Sequence, residues 1–355
     1  MNPIERLRAR MSEHDIPALL VNDIGNVQWM TGFTGSFGFV LLTPTGGCFL
    51  TDARYTIQAA EQVKDLEVVS YASPKKVEEV LAEQAATLGV NVLRFEPSTT
   101  YLTLERWKNS MAGIEFIAAP ETLIQSLRMI KTAEEAEKVQ AACKLADACL
   151  HHVVRLLQPG VSESDIGLEI EFFFRRNKAD VGFSPIVASG PNSARPHHRA
   201  GERKLERGDF VTLDLGCTLD GYNSDITRTF VIGEASDRHR EVYNQVLKAE
   251  VETCAMMVPG ANGKDVDARA REILDEKDMA QYFGHSLGHG LGRSVHDFGR
   301  LHMSTDQPIE TGQIWTIEPG VYIEGFGGVR IEDDVLVTDG EPRILTNYPK
   351  ELMIL

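Results

Sequence analysis

At 355 residues, with 43% hydrophobic and 25% charged side chains, the chain has the make-up of an ordinary globular protein and the length for two domains. Its 36 Lys and Arg against 52 Asp and Glu leave a formal net charge of −16, which repels phosphate backbones and anionic lipid surfaces and argues against nucleic acid or membrane as partners. The five cysteines are scattered without a CxxC pair, Met1 to Asp15 lacks the apolar core of a signal peptide, and no run approaches membrane-spanning length, so free thiols and cytoplasmic residence are expected.

In chain order, short apolar runs at Ala18 to Val21, Gly38 to Leu42, Cys48 to Thr51, Val68 to Tyr71 and Val90 to Phe95 alternate with helical patterns such as Tyr55 to Val63 and Lys76 to Leu88. This alternation predicts a compact α/β domain over residues 1–130, with Pro44-Thr-Gly-Gly47 as a hairpin. Thr132-Ala-Glu-Glu135 is a capping box that starts a long helix to about Leu157, and Pro159-Gly160 ends it. Ser162-Glu-Ser-Asp165 opens the next helix, through about Asn177. Beyond it come β-like runs at Asp209 to Leu215 and Ile226 to Ile232, helices at about Asp237 to Met257 and Gly263 to Asp275, and further β-like runs from Ile314 to Leu345. Strands and helices are grouped here, which predicts an α+β domain over residues 131–355.

Chemistry gathers in that second domain. Asp214 and Asp225 lie on predicted strands joined by a turn at Leu219-Asp220-Gly221, and pairing about it sets 214 roughly opposite 225. Directly paired residues share a face, so two carboxylates would stand side by side and repel unless positive charge lies between them. Glu318 and Glu332 flank the glycine-rich reversal Glu324-Gly-Phe-Gly-Gly328 in the same way. Either pair alone also reads as solvent-facing acids beside a turn; two such hairpins in one domain favour a site. Between them, Phe283 to His296 holds His285, His289 and His296 with four glycines, which let backbone approach a centre closely. Imidazole is a common metal ligand, and His289, between Gly288 and Gly290, is the candidate. Four carboxylates and one neutral imidazole carry the charge that two divalent cations neutralise, and such a pair, roughly 3.5 to 4 Å apart, can activate a water between them. Oxygen-rich ligation suits Mn, Co, Fe or Zn; manganese is the first expectation and the others stay open.

The ordered set Asp, Asp, His, Glu, Glu resembles that of the metallopeptidases with the pita-bread fold, a family that includes aminopeptidase P, prolidase and methionine aminopeptidase. It is carried by Asp214 in Leu213-Asp-Leu-Gly216, Asp225 in Tyr222-Asn-Ser-Asp-Ile-Thr-Arg-Thr229, His289 in Gly-His-Gly, Glu318 in Ile317-Glu-Pro-Gly320 and Glu332 in Val329-Arg-Ile-Glu-Asp333. The resemblance covers about residues 135 to 350 and implies hydrolysis of the bond before proline, with Glu318 also serving as general base or proton shuttle. Ser189-Gly-Pro-Asn-Ser-Ala-Arg-Pro-His197 resembles a loop whose histidine contacts substrate, which nominates His197. By the same resemblance His296 would hydrogen-bond the scissile carbonyl, His285 would line the proline pocket, and Tyr322 and Arg330 would brace the site.

Asn26 to Ser36 and Thr51 to Gln58 resemble the amino-terminal domain of aminopeptidase P, which favours an Xaa-Pro aminopeptidase and implies a homodimer acting on short proline-containing peptides. Trp29, Phe37 and Arg54 in those segments are further candidates, with core packing the plainer reading for the aromatics. Two departures bear on substrate: Asp297-Phe-Gly-Arg300 follows His296 where many members have Glu and then proline, and Arg293 stands where proline-specific members often carry an aliphatic residue. Arg300 would clamp a dipeptide's carboxylate, and that makes an Xaa-Pro dipeptidase, or prolidase, the alternative. A non-catalytic binding module on the same fold is disfavoured because all five candidate ligands are present.

Overall fold

A computed structural model describes residues 2–355, and the chain divides into two compact units, Met1–Arg128 and Met129–Leu355. In the first unit, helix α1 (Pro3–Glu13) starts on a capping box formed by Asn2 and Glu5 and buries Ile4, Leu7 and Met11 along one stripe. There follow β1 (Leu19–Val21), α2 (Ile24–Thr31), β2 (Phe39–Leu42), β3 (Gly47–Asp52), α3 (Thr56–Gln62), β4 (Glu67–Tyr71), α4 (Val77–Thr87), β5 (Val92–Phe95), α5 (Tyr101–Ser110), β6 (Glu115–Ala118) and α6 (Thr122–Met129). The six strands form one mixed sheet in the order β4-β3-β2-β1-β5-β6. Alternate strand residues serve opposite faces: Leu19, Val21, Val40 and Phe49 pack with α1 and α2, while Leu20, Leu41, Cys48 and Leu50 pack with α4 and α5. Trp29 belongs to the first of these cores, and Arg54 is exposed and paired with Asp52.

The second unit opens with α7 (Ala133–Val153), capped by Thr132 and Glu135, and a short 3₁₀ turn carries the chain on to Leu156. Next come α8 (Glu163–Arg176), β7 (Asp180–Val181), β8 (Ile186–Ser189), β9 (Phe210–Leu215), β10 (Cys217–Leu219), β11 (Tyr222–Asn223), β12 (Ile226–Val231), α9 (Asp237–Ala255) and α10 (Gly263–Asp275). The last strands are β13 (Gly288–His289), β14 (Arg300–Leu301), β15 (Ile314–Ile317), β16 (Gly320–Ile323), β17 (Gly327–Arg330), β18 (Asp333–Leu336) and β19 (Arg343–Ile344). Helices α7 and α8 cover the apolar side of β8, β9 and β12 through Val187, Leu213, Leu215 and Ile226. Helices α9 and α10 do the same for β15 to β18 through Ile317, Val321, Val329 and Val335. Other residues of these strands, among them Thr212, Asp214, Thr227, Thr229 and Arg330, are also buried but polar, as is Glu332 between β17 and β18.

One register differs from the sequence reading. Asp214 pairs with Thr227, two residues along from Asp225, because the reversal is a two-residue turn with Asp220 and Gly221 both at positive φ. That geometry centres the hairpin between 220 and 221, and each residue of turn position moves every cross-strand partner by two. Asp225 therefore stands just before β12, diagonal to Asp214 and on the same face. The second hairpin keeps its expected register: Ile317 pairs with Asp333 and Gly320 with Arg330, which sets Glu318 opposite Glu332. An isolated bridge between Thr227 and Glu332 joins the two hairpins. No helix among the described residues is long and apolar enough to cross a membrane.

Candidate metal centre

The two hairpins and the segment that carries β13 bring their acids and imidazole to one place. Ligand atoms of Asp225, His289 and Glu332 all lie within 4.8 Å of one another. His289 Nε2 is 3.7 Å from Asp225 Oδ2 and 3.6 Å from Glu318 Oε1. Nδ1 of His289 faces the Gly290 carbonyl at 3.1 Å; a carbonyl only accepts, so Nδ1 holds the proton and Nε2 presents its lone pair to the acids. The glycines beside His289 have a steric cause: a Cβ on Gly288 would meet the Thr316 carbonyl at 1.9 Å, and one on Gly290 the Phe298 carbonyl at 1.9 Å. Only bare backbone lets β13 press this close to its neighbours.

Asp214 is held differently. Its Oδ2 accepts from Arg330 Nη2 at 2.5 Å, while Oδ1 is buried with no hydrogen-bond partner. Arg330 also donates through Nε to Thr227 Oγ1 at 3.0 Å, and the Thr227 hydroxyl donates to Glu332 Oε2 at 2.6 Å. Through Nη1 it donates to the Tyr322 hydroxyl at 2.9 Å. Tyr322 in turn lies 2.9 Å from His285 Nε2, and since His285 Nδ1 must donate to the Ser286 carbonyl at 2.8 Å, the hydroxyl donates to Nε2. Hydrogen bonds thus fan out from Arg330, which donates to Asp214 on one side and to Tyr322 on the other, and Tyr322 donates on to a neutral His285.

Burial pushes the carboxyls up, and they push one another further. Asp225 is raised well above the ordinary carboxylate range by burial and then by Glu332, Asp214, Asp334 and Glu318. Glu318 is raised by burial and by Glu332, and Glu332 is pushed up to about 8 by burial and by Asp214. His289 is drawn down to about 4, chiefly by burial, and His285 likewise to about 4. Mutually repelling buried acids, a neutral imidazole with a free lone pair and an orphaned carboxylate oxygen are a donor set that divalent cations satisfy.

These groups open into a cavity of about 1160 Å³. It is lined by Asp214, Asp225, His289, Glu318, Glu332 and Arg330, and also by His197, His285, His296 and Arg300. Tyr322 lines a smaller cavity of about 380 Å³ that shares His197 and His285. His296 sets its ring edge-to-face on His289, with centroids 4.3 Å apart. Arg300 pairs with His289 across the β13–β14 ladder, and His197, His296 and Arg300 are all exposed to the opening. Arg293, expected on the substrate side of His289, turns elsewhere: its guanidinium lies 5.3 Å over the Tyr222 ring and against Gly221. Cys217 is buried packing, its thiol pushed up to about 11 by burial.

Several supporting residues carry no signal in the local sequence pattern. Asp334 Oδ2 accepts from the Asp225 amide at 3.0 Å and from Cys143 Sγ at 3.2 Å, which fixes the backbone at that ligand candidate. Asp267 on α10, fully buried, accepts from the amides of Leu287 and Met303 and from Arg271, one turn on. Arg271 donates to the carbonyls of Phe283 and His285. Together they strap the segment that carries His285 and His289 to α10. In the sequence, Asp267 four residues before Arg271 on a predicted helix reads as an ordinary surface pair.

Residues 137–339 match the metallopeptidase family M24, and residues 3–130 match the creatinase/prolidase N-terminal domain. The chain belongs to metallopeptidase family M24. Among its M24 relatives, the Xaa-Pro dipeptidase of Pyrococcus furiosus is 34% identical over 351 residues, 99% of each chain. Of solved structures, the Xaa-Pro dipeptidase from Bacillus anthracis superposes with a TM-score of 0.95 at 41% identity, covering 99% of both chains. The X-Pro aminopeptidase from Thermotoga maritima gives 0.90 at 33% identity, over 97% of this chain and 99% of that one. This M24 member is a metallopeptidase whose pita-bread catalytic domain follows a creatinase-type amino-terminal domain.

Proposed function

We propose that the chain is an Xaa-Pro dipeptidase, with Arg300 as the observation that carries the reading. A guanidinium at the mouth of the cavity, opposite His289 in its ladder and near His197 and His296, suits the carboxylate of a C-terminal proline. Relatives named as Xaa-Pro dipeptidases match over almost the whole chain and support it. The amino-terminal motifs by themselves pointed to an aminopeptidase; these two considerations reverse that order.

In this reading Asp214, Asp225, His289, Glu318 and Glu332 hold two divalent ions, manganese first. When bound, the ions supply Lewis acidity at the scissile carbonyl and lower the pKa of an attacking water. Glu318 takes the water's proton and returns it to the departing proline nitrogen. His296 donates to the carbonyl oxygen as negative charge develops there. His197 and Arg300 hold the substrate carboxylate, and the neutral pair His285 and Tyr322 walls the proline ring. Arg330 holds Asp214 in place through its hydrogen bond to Oδ2.

Comparing release from Xaa-Pro with release from Xaa-Pro-Yaa by the manganese-loaded chain tests the assignment. Turnover of the dipeptide with little of the tripeptide is expected, and Arg300→Ala should raise KM for the dipeptide by about tenfold or more. Preferential cleavage of the tripeptide would instead select the aminopeptidase reading, which the likeness to the Thermotoga maritima enzyme favours.

A further inference from the structure

His197 reaches the cavity from a long segment between β8 and β9, and a single buried side chain gathers that segment. Glu163, the first residue of α8, is fully buried. Its Oε1 accepts from the Ser189 amide at 2.8 Å, the Ser189 hydroxyl at 2.6 Å and Asn192 Nδ2 at 3.0 Å. Its Oε2 accepts from His198 Nε2 at 2.7 Å and the Gly201 amide at 3.2 Å. Five donors saturate one carboxylate, and they come from both ends of residues 189–201. Burial by itself would push this carboxyl up, but the bonds from Ser189, Asn192 and His198 bring it below its ordinary value, so it stays an acceptor.

Nothing in α8 requires this arrangement. The helix is already capped by Ser162, which accepts from the Asp165 amide at 3.1 Å, and all five donors to Glu163 belong to the following segment. The middle of that segment is pinned separately, where Ser193 Oγ accepts from the Gly328 amide at 2.8 Å. His197 thus sits between two fixed points, Ser193 on β17 and the His198 ring on Glu163. None of the donors to Glu163 is a candidate metal ligand.

We infer that Glu163 is a positioning residue for substrate: by tying Ser189, Asn192, His198 and Gly201 together it aims the neighbouring His197 into the cavity, and it sets substrate affinity independently of metal loading. The two adjacent histidines divide the work, His198 facing the anchor and His197 facing the opening. This inference rests on the peptidase reading, and a metal-loaded parent chain that cleaves no proline peptide would defeat that reading before Glu163 is tested.

The test is a double-variant cycle on the manganese-loaded chain with an Xaa-Pro substrate, using Glu163→Gln and His197→Ala. Glu163→Gln should raise KM about tenfold with kcat changed less than about threefold and bound manganese unchanged, and the double variant should be within about twofold of the worse single variant. Multiplying effects, a loss confined to kcat, or a fall in bound metal would overturn the inference. If Glu163→Gln fails to fold, His198→Phe and His198→Gln decide the matter: the phenylalanine removes one donor at the less buried end, and the glutamine keeps one. A raised KM in the phenylalanine variant with recovery in the glutamine variant supports the anchor, and equal behaviour of the two overturns it.

Discussion

Strands β1 to β3 of the amino-terminal unit and β9 and β12 of the catalytic unit are both largely buried, yet they bury different things. In β1 to β3 the two faces carry Leu19, Val40 and Phe49 on one side and Leu20, Leu41 and Leu50 on the other, so each residue stabilises the fold by leaving water. In β9 and β12 one face does the same through Leu213, Leu215 and Ile226, while the other holds Asp214, Thr227 and Thr229. An acid there costs stability unless hydrogen bonds or cations compensate it. Burial alone therefore does not mark a core; a buried face made of acids, threonines and one arginine marks a site whose stability is completed by something it binds.

The largest expected effect separates the two kinds of burial at their extremes. Asp225→Asn removes a charge from the polar face, and turnover should fall on the order of 10³-fold with loss of bound metal, as read by steady-state kinetics and elemental analysis. Unchanged turnover would show that the face is not the reaction centre. Next, Phe49→Ala in the amino-terminal core should lower unfolding stability by about 3 to 5 kcal/mol in denaturant titrations, leaving metal content of the folded protein intact. A polar-face threonine such as Thr229, truncated to Ala, supplies the contrast.

The third expectation concerns pH. Glu332 is lifted to about 8 by burial and by Asp214, and Asp225 and Glu318 are raised as well, so the metal-free fold holds protons that the unfolded chain releases. The contribution of these three acids to its stability is complete below the ordinary carboxylate range and is lost as pH rises toward 8. Thermal unfolding of the chelator-treated chain should show a midpoint falling by several degrees between about pH 5 and 8, and saturating manganese should remove that slope. A metal-free midpoint that rises with pH would contradict the electrostatics. The smallest effect is expected at Arg271→Met, which frees the Phe283 and His285 carbonyls; kcat/KM or metal affinity should drop about 10- to 100-fold with little change in unfolding midpoint.

How far the sequence displayed this site depends on the range of the interaction concerned. Hairpin acids beside visible turns and a histidine between glycines could be read directly, as could the capping of α7 by Thr132 and Glu135, because each signal lies within a few residues of what it governs. The offset between Asp214 and Asp225 could not, since it turns on the φ angles of Asp220 and Gly221. Glu163 reads only as part of a helix start, and Asp334 and the link from Asp267 to Leu287 cannot be read at all, because those partners stand 20 or more residues away. Arg293 was misplaced for the opposite reason: its position in the chain beside His289 says nothing about which way a long side chain turns.

The central claim is that five side chains remote in sequence hold a pair of divalent cations and that this pair supports proline-peptide cleavage. Equilibrium dialysis of the chelator-treated chain against manganese, with metal counted per chain and Xaa-Pro turnover followed on the same samples, tests it most directly. The account predicts two ions per chain at saturation, with turnover rising as they bind and both lost in Asp225→Asn. Full turnover by a chain that carries no metal, or saturation without any turnover of proline peptides, would contradict it.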